Sequence, residues 1–530
     1  MSTEMELTAS AVRARVESAA SGGWSSDHGA AAFSAVSGPV DWGELRERLL
    51  PDLADAIRRF LGEKHGPLPV PHPPPSAAER FVFSAENGTD GRELWVSDGT
   101  RAGTFLVKDI NPGPGDAFPF SFPGSFGALG DGRALFGASD GVGGVELWIT
   151  DGTAAGTRLV EDLLPTGTIG SDPRSFVPLG DGRALFAADA PDFGRSLWVS
   201  DGSAEGTRLV SPATNGRSSL ETDIGVLRPG VALVESFDAG YRVLLTDGTE
   251  AGTSTVKEFG FADAPPFGFS PIGDGRLLFR AEEAGGGAGA ELWISDGTEA
   301  GTRLLKDINP GEGDSFPGGF RAFGDGLVLF SAFGGFDRSG AWITDGTETG
   351  TRFLKDVFPS LSSPGSFADL GDGRALFIGR ERDDARGSEI WITDGTEAGT
   401  RLVKDINPGR GDRAFDIVPL GGGPALLPAF DGALGIEPWI TDGTEAGTVL
   451  VRDVRPGAAS SDAFGFAPFG DGRALFAAND GVRGREVWIT DGTEAGTRLV
   501  EDIRPGSEGS APGQFVLLEN GGATDLDPFG

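Results

Sequence analysis

The sequence predicts an all-β fold, a β-propeller of four-stranded antiparallel blades, nine of them. Three observations predict it. First, one phrase, complete in Glu291-Leu292-Trp293-Ile294-Ser295-Asp296-Gly297-Thr298, recurs along the chain. Its turn aspartate stands at Asp98, Asp151, Asp201, Asp247, Asp296, Asp345, Asp394, Asp442 and Asp491, in steps of 46 to 53 residues. A period of that size belongs to repeat architectures. Second, neighbouring strand residues are both large and apolar, as in Leu475-Phe476 and Val487-Trp488. Successive residues point to opposite faces, so both faces of each sheet must be covered, as they are between propeller blades. Third, the two ends of the array complement each other. Phe81-Val82-Phe83 matches the second strand of a blade, and Phe515-Val516-Leu517-Leu518 matches a first strand. The C-terminal strand is expected to complete the N-terminal blade and close the ring, which removes exposed edges. An open superhelical array is the alternative.

Before the repeats, residues 1–66 read as a helical extension. Asp41 and Glu44 fit a capping box, and Leu45, Leu49, Leu53, Ile57 and Leu61 form an apolar stripe over 41–62. Pro51 implies a kink there, or two helices. The stripe is expected to pack on the main body, on a second copy, or on a docking partner. Residues 67–78 are a proline-rich extended linker. Residues 79–521 hold the repeats, and 522–530 form a tail.

Within a repeat, Phe464 to Phe469 is a first strand, Gly470-Asp471-Gly472 a turn, and Arg473 to Ala478 a second strand. A loop leads to the third strand, Glu486 to Ile489, and the Asp-Gly-Thr hairpin leads to the fourth, Thr497 to Ile503. The turn aspartates are expected to accept backbone N–H groups, with metal ligation as the other reading. Gly301 and its equivalents are expected to take the left-handed conformation of a bulged hairpin loop. A tryptophan precedes the turn aspartate by three residues at Trp95, Trp148, Trp198, Trp293, Trp342, Trp391, Trp439 and Trp488, as a blade-packing residue. Leu244 stands there in the fourth repeat, which predicts the weakest packing unit.

These units resemble the bacterial ELWxxDGT-repeat proteins. The motif is complete at 93–100, 146–153 and 291–298, and the resemblance covers residues 81 to about 520. It implies propeller units of large, often secreted or surface, bacterial proteins, and no known activity.

The chain of 530 residues carries a net charge of −35, which argues against nucleic acid as a partner and suits cations or basic partners. Cysteine is absent and the three histidines, His28, His65 and His72, precede the repeats, so Ser–His or Cys–His chemistry and zinc have no ligands in the repeats. Calcium is the cation candidate, with Asp131, Asp181, Asp274, Asp325, Asp372 and Asp471 of the Gly-Asp-Gly turns as ligands; otherwise no cofactor is expected. No apolar run is long enough for a membrane helix, and the first 22 residues lack a basic-then-apolar signal pattern. The resemblance implies a surface or extracellular location, reached by another export route, ahead of a cytoplasmic one.

Function is expected to be non-catalytic, a binding or scaffold propeller presenting its variable loops to a protein or glycan. Those loops are Pro191 to Arg195, Ser211 to Ser219, Glu282 to Gly289 and Arg380 to Gly387. The alternatives are an intracellular scaffold docked or oligomerised through 41–62, a calcium-loaded adhesin or lectin, and a carboxylate enzyme acting on polysaccharide. Blade-unique acids such as Glu282 and Asp384 are the candidates for that last reading.

Overall fold

A computed structural model describes residues 79–518, apart from 119–125, 166–169, 192, 212–222, 238–239, 261–263, 325, 336–337, 360–366, 382–387 and 408–415. The expected helix over 41–62 and the linker over 67–78 lie outside the described residues.

The described residues form a nine-bladed all-β propeller of antiparallel sheets and contain no helix. Blade five shows the pattern. Its strands are Phe267–Pro271, Leu277–Ala281, Glu291–Ser295 and Arg303–Lys306, hydrogen-bonded in chain order. Blade seven differs, because Val357–Pro359 and Phe367–Asp369 pair in succession along one edge of Ala375–Glu381, making five strands. The first strands of neighbouring blades lie against one another, so they form the inner layer.

Alternation sends consecutive residues into different seams. Trp95 packs with Phe81, Phe83, Phe469 and Phe515, while Leu94 and Val96 pack with Phe126, Phe136 and Trp148 on the other side. Each motif tryptophan thus faces the preceding blade. A register shift directly before it, as between Leu292 and Trp293, recurs along the third strand. Such bulges increase the local twist of a strand. Each large side chain buried in a seam contributes about 1.5–3 kcal/mol. Cations tie the seams further: Lys108 lies 5.6 Å from the ring centre of Trp148 in the next blade and donates to the Thr157 carbonyl at 2.8 Å. Lys404 does the same with Trp439 and Thr448.

The array's ends meet. Val516–Leu518 pairs antiparallel with the first strand of the chain, placing Leu518, Leu517 and Val516 opposite Arg80, Phe81 and Val82. Phe81 stacks edge-on against Phe469 of the last blade at 4.8 Å. Ion pairs Arg101–Glu501 at 2.8 Å and Arg504–Glu86 at 2.6 Å span the same seam.

The seam between blades three and four has a different composition. Its cluster holds Val177, Leu179, Leu185, Leu197, Val199, Val210, Ile224, Ala232 and Val234, and no aromatic ring. Leu244 occupies the tryptophan position and is buried. Among the seams, this one is expected to open first. Native-state hydrogen exchange should show strands 184–190 and 231–237 exchanging before 80–86 and 474–479; the reverse order would disprove the ranking.

Candidate functional site

The Asp-Gly-Thr turn is a closed hydrogen-bond unit. Asp296 Oδ1 accepts from the Thr298 amide at 2.9 Å and from the Thr298 hydroxyl at 2.7 Å, and the Gly301 amide donates to Thr298 Oγ1 at 3.0 Å. Thr302 Oγ1 donates to the Thr298 carbonyl and lies 2.6 Å from Ser295 Oγ. The hydrogen bonds from Thr298 hold the Asp296 carboxyl below its ordinary range. The equivalent contact is made by Asp98, Asp151, Asp201, Asp247, Asp345, Asp394, Asp442 and Asp491.

The glycines of this turn divide their roles differently from the expectation. The left-handed residue is Gly297, with φ +84°, and not Gly301. The chain must reverse directly after the aspartate for its carboxylate to reach the amide two residues on. Gly301 is required for space: a Cβ there would lie 2.0 Å from Asp296 Oδ1.

In the Gly-Asp-Gly turns, each described aspartate is held by the arginine two residues later. Asp131, Asp181, Asp274, Asp372 and Asp471 pair with Arg133, Arg183, Arg276, Arg374 and Arg473 at 2.5 to 2.7 Å. Asp325 lies outside the described residues and has Leu327 in the arginine position. Arg183 and Arg276 also donate to Asp247 and Gly346 carbonyls in the next blade. Among the described residues, no group of three or more His, Cys, Asp or Glu side chains is placed to hold a metal.

Two arrangements stand out that the turn motifs do not indicate. The first is the motif glutamate. Glu93, Glu146, Glu291, Glu437 and Glu486 are buried, and their carboxylates accept amides from the segment that leads to the next blade. Glu486 takes Ile503, Arg504 and Ser510 amides and the Ser510 hydroxyl at 2.6 to 3.2 Å. Glu146 takes Leu163 and Ser171 in the same way. Burial pushes Glu93, Glu291, Glu437 and Glu486 up to about 7, and also raises Glu146. A second carboxyl sixteen residues on adds to the rise at Glu93, Glu291 and Glu437, from Asp109, Asp307 and Asp453. The Oδ1 atoms of these three aspartates are buried without a hydrogen-bond partner. The signal in the sequence was the Glu of the motif itself, but its partners lie 17 and 24 residues away in loops of variable sequence.

The second arrangement belongs to one place in the ring. On the second strand, the position opposite the residue before the motif tryptophan is Ser84, Gly137, Ala187, Ser331, Ile378, Pro428 or Ala477 in seven blades. In blades four and five it is Glu235 and Arg280. Asp223, directly before the first strand of blade four, is buried beside Glu235, whose amide donates to the Asp223 carbonyl at 3.0 Å. Of the acids expected to be blade-unique, Glu282 accepts from the Ala264 amide at 3.1 Å, and 384 lies outside the described residues. Of the loops expected to vary, 211–219 and 380–387 are largely outside the described residues as well.

No family model and no curated protein matches the chain. Among solved structures, puromycin hydrolase is similar at 18% identity and TM-score 0.37, over 72% of this chain and 60% of that one. Two prolyl endopeptidases are represented by a match at 14% identity and TM-score 0.38, over 72% of this chain and 49% of that one. A eukaryotic initiation factor is similar at 12% identity and TM-score 0.49, over 84% of this chain and 99% of that one. The chain thus spans about 60% of puromycin hydrolase. The expectation of a non-catalytic binding or scaffold protein, with its alternatives, is corrected here: the neighbours include peptidases, and that reading is not retained. At these identities the likeness concerns the fold alone.

Replacing Gly301 by Ala is expected to cost about 1–3 kcal/mol, because the new Cβ overlaps the aspartate that holds the turn. Glu299→Ala, an exposed change in the same loop, serves as the neutral control. Denaturant unfolding of both variants checks the difference, and equal stability would rule out the spatial role.

Proposed function

We propose that the chain is a closed ring of ELWxxDGT-type blades, completed by its C-terminal strand, and that the ring is built to hold its shape in mildly acidic surroundings. The observation that carries this reading is the glutamate clamp on the links between blades. A buried carboxylate that accepts several amides is costly to keep charged away from water, and a second carboxyl beside it adds repulsion. One proton per clamp removes both penalties, and the unpartnered aspartate oxygen nearby offers an acceptor for it. Strand pairing of 516–518 with 80–82 and the ion pairs of that seam support closure. A surface or exported location, expected from the resemblance, agrees with such a design.

The direction of the pH effect follows from linkage. The glutamates of the folded ring hold their proton up to about 7, above the ordinary value of 4.5. Their contribution is therefore complete below that ordinary value and is lost as pH rises through about 7. The melting temperature should fall by several degrees between about pH 5 and about pH 8.5. General repulsion at a net charge of −35 acts in the same direction, so the test is the triple variant Glu291→Gln, Glu437→Gln, Glu486→Gln. Its fall with pH should be clearly shallower than that of the parent. An unchanged slope would sink the clamp as the cause.

A further inference from the structure

We infer that Asp223 and Glu235 hold a single proton between them and that this proton is a switch locking blade four to blade five. The geometry is specific to this seam. Asp223 and Glu235 stand opposite each other at the end of the blade-four sheet, next to the Ile224–Val234 pair. Both are more than nine-tenths buried. The Asp223 carboxylate reaches across the seam and accepts the amides of Gly268, at very short range, and of Phe269 at 3.3 Å, in the first strand of blade five. Glu235 Oε1 is buried with no partner at all.

The charge count decides what the site holds. Among the described residues, the groups acting on the pair are the two carboxyls and Arg280 of blade five, which favours the charged form of Asp223. Arg242, on the third strand, pairs opposite Ser236 and so is out of step with Glu235. Two carboxylates and one guanidinium leave one negative charge unbalanced in a buried place. One proton balances it, whereas a divalent cation would leave that set positive and has no third acidic ligand among the described residues. Burial, and then the Asp223 charge, push Glu235 up to about 7, while burial raises Asp223 to about 6. Both shifts have the same sign: the lock is complete in acid and is lost as pH rises through about 7. With both groups ionised, their repulsion is relieved by withdrawing Asp223 from the blade-five amides.

This inference does not rest on the glutamate clamps, because its residues and readout are separate. The experiment is amide hydrogen exchange of the full chain, followed by mass spectrometry on a peptide covering 264–276, at about pH 5.5 and about pH 8.5, each corrected for intrinsic exchange. The parent should lose protection in this peptide by about tenfold or more on the rise, the scale of one pKa unit. Glu235→Gln keeps the shape and cannot ionise, so it should remain protected at both values. Asp223→Asn should lower protection of the same peptide at both. Equal pH responses in the parent and Glu235→Gln would overturn the switch. So would pH dependence in 264–276 no greater than in the equivalent peptide 461–473 of blade nine. The clamp variants report through the global melting profile, so either reading can fail alone.

Discussion

A four-stranded sheet that is apolar on both faces cannot stand alone in water, and everything else in this chain follows from that constraint. Each blade needs a neighbour on either side, which explains why Trp95 enters one seam while Leu94 and Val96 enter the next. It also explains why the ends are complementary. Val516–Leu518 covers the edge that Arg80–Glu86 would otherwise expose, and the seam it completes is rich in aromatic rings. Even the basic residues of the fourth strands serve the seam, with Lys108 and Lys404 lying over the next blade's tryptophan.

Burying so much sheet creates a second problem, which the polar residues of the motif solve. Hairpins and links between blades carry backbone amides that must be satisfied wherever water is excluded. The aspartate and threonines close the hairpin on itself, and the motif glutamate closes the link. The turn aspartates Asp247 and Asp296 are exposed, and the hydrogen bonds from the threonine two residues on hold them below their ordinary range. The glutamate is buried, and its environment favours a proton. One short motif thus holds two carboxyls with opposite tendencies, separated by five residues.

The parts of this structure legible in the sequence are those governed by local chemistry and by period. Blade number, strand order, the aspartate that caps its own turn and the tryptophan that fills the seam are all of this kind. The seam without a ring lies beside the blade in which Leu244 replaces the motif tryptophan. What was not legible depended on where each side chain comes to lie. Gly301 looks like a residue needed for a left-handed turn, yet it is needed because Asp296 folds back over it. Asp131 and its equivalents read as candidate oxygen ligands, and the structure adds the ion pair that each described one makes with an arginine two residues on. The glutamate's partners are backbone amides 17 and about 24 residues on, and a backbone amide leaves no residue-type signal in the sequence.

In a repeat array the shared residues describe the architecture, and the departures from it carry the individuality of the protein. Blade four has the most consequential departures. It lacks the tryptophan, has Arg242 in place of the motif glutamate, and places Glu235 where seven other blades have a small or apolar residue. On its blade-three side it is held by aliphatic packing without a ring. On its blade-five side it has the common aromatic seam, with Phe259 against Trp293, and adds a buried carboxylate that accepts two backbone amides. Packing is insensitive to pH, whereas a buried pair of carboxyls is strongly sensitive to it. Blade four therefore joins a seam without a ring on one side to a ring-rich seam with an added buried carboxyl pair on the other. A change in protonation at this position would act on a contact that the other described blades do not make.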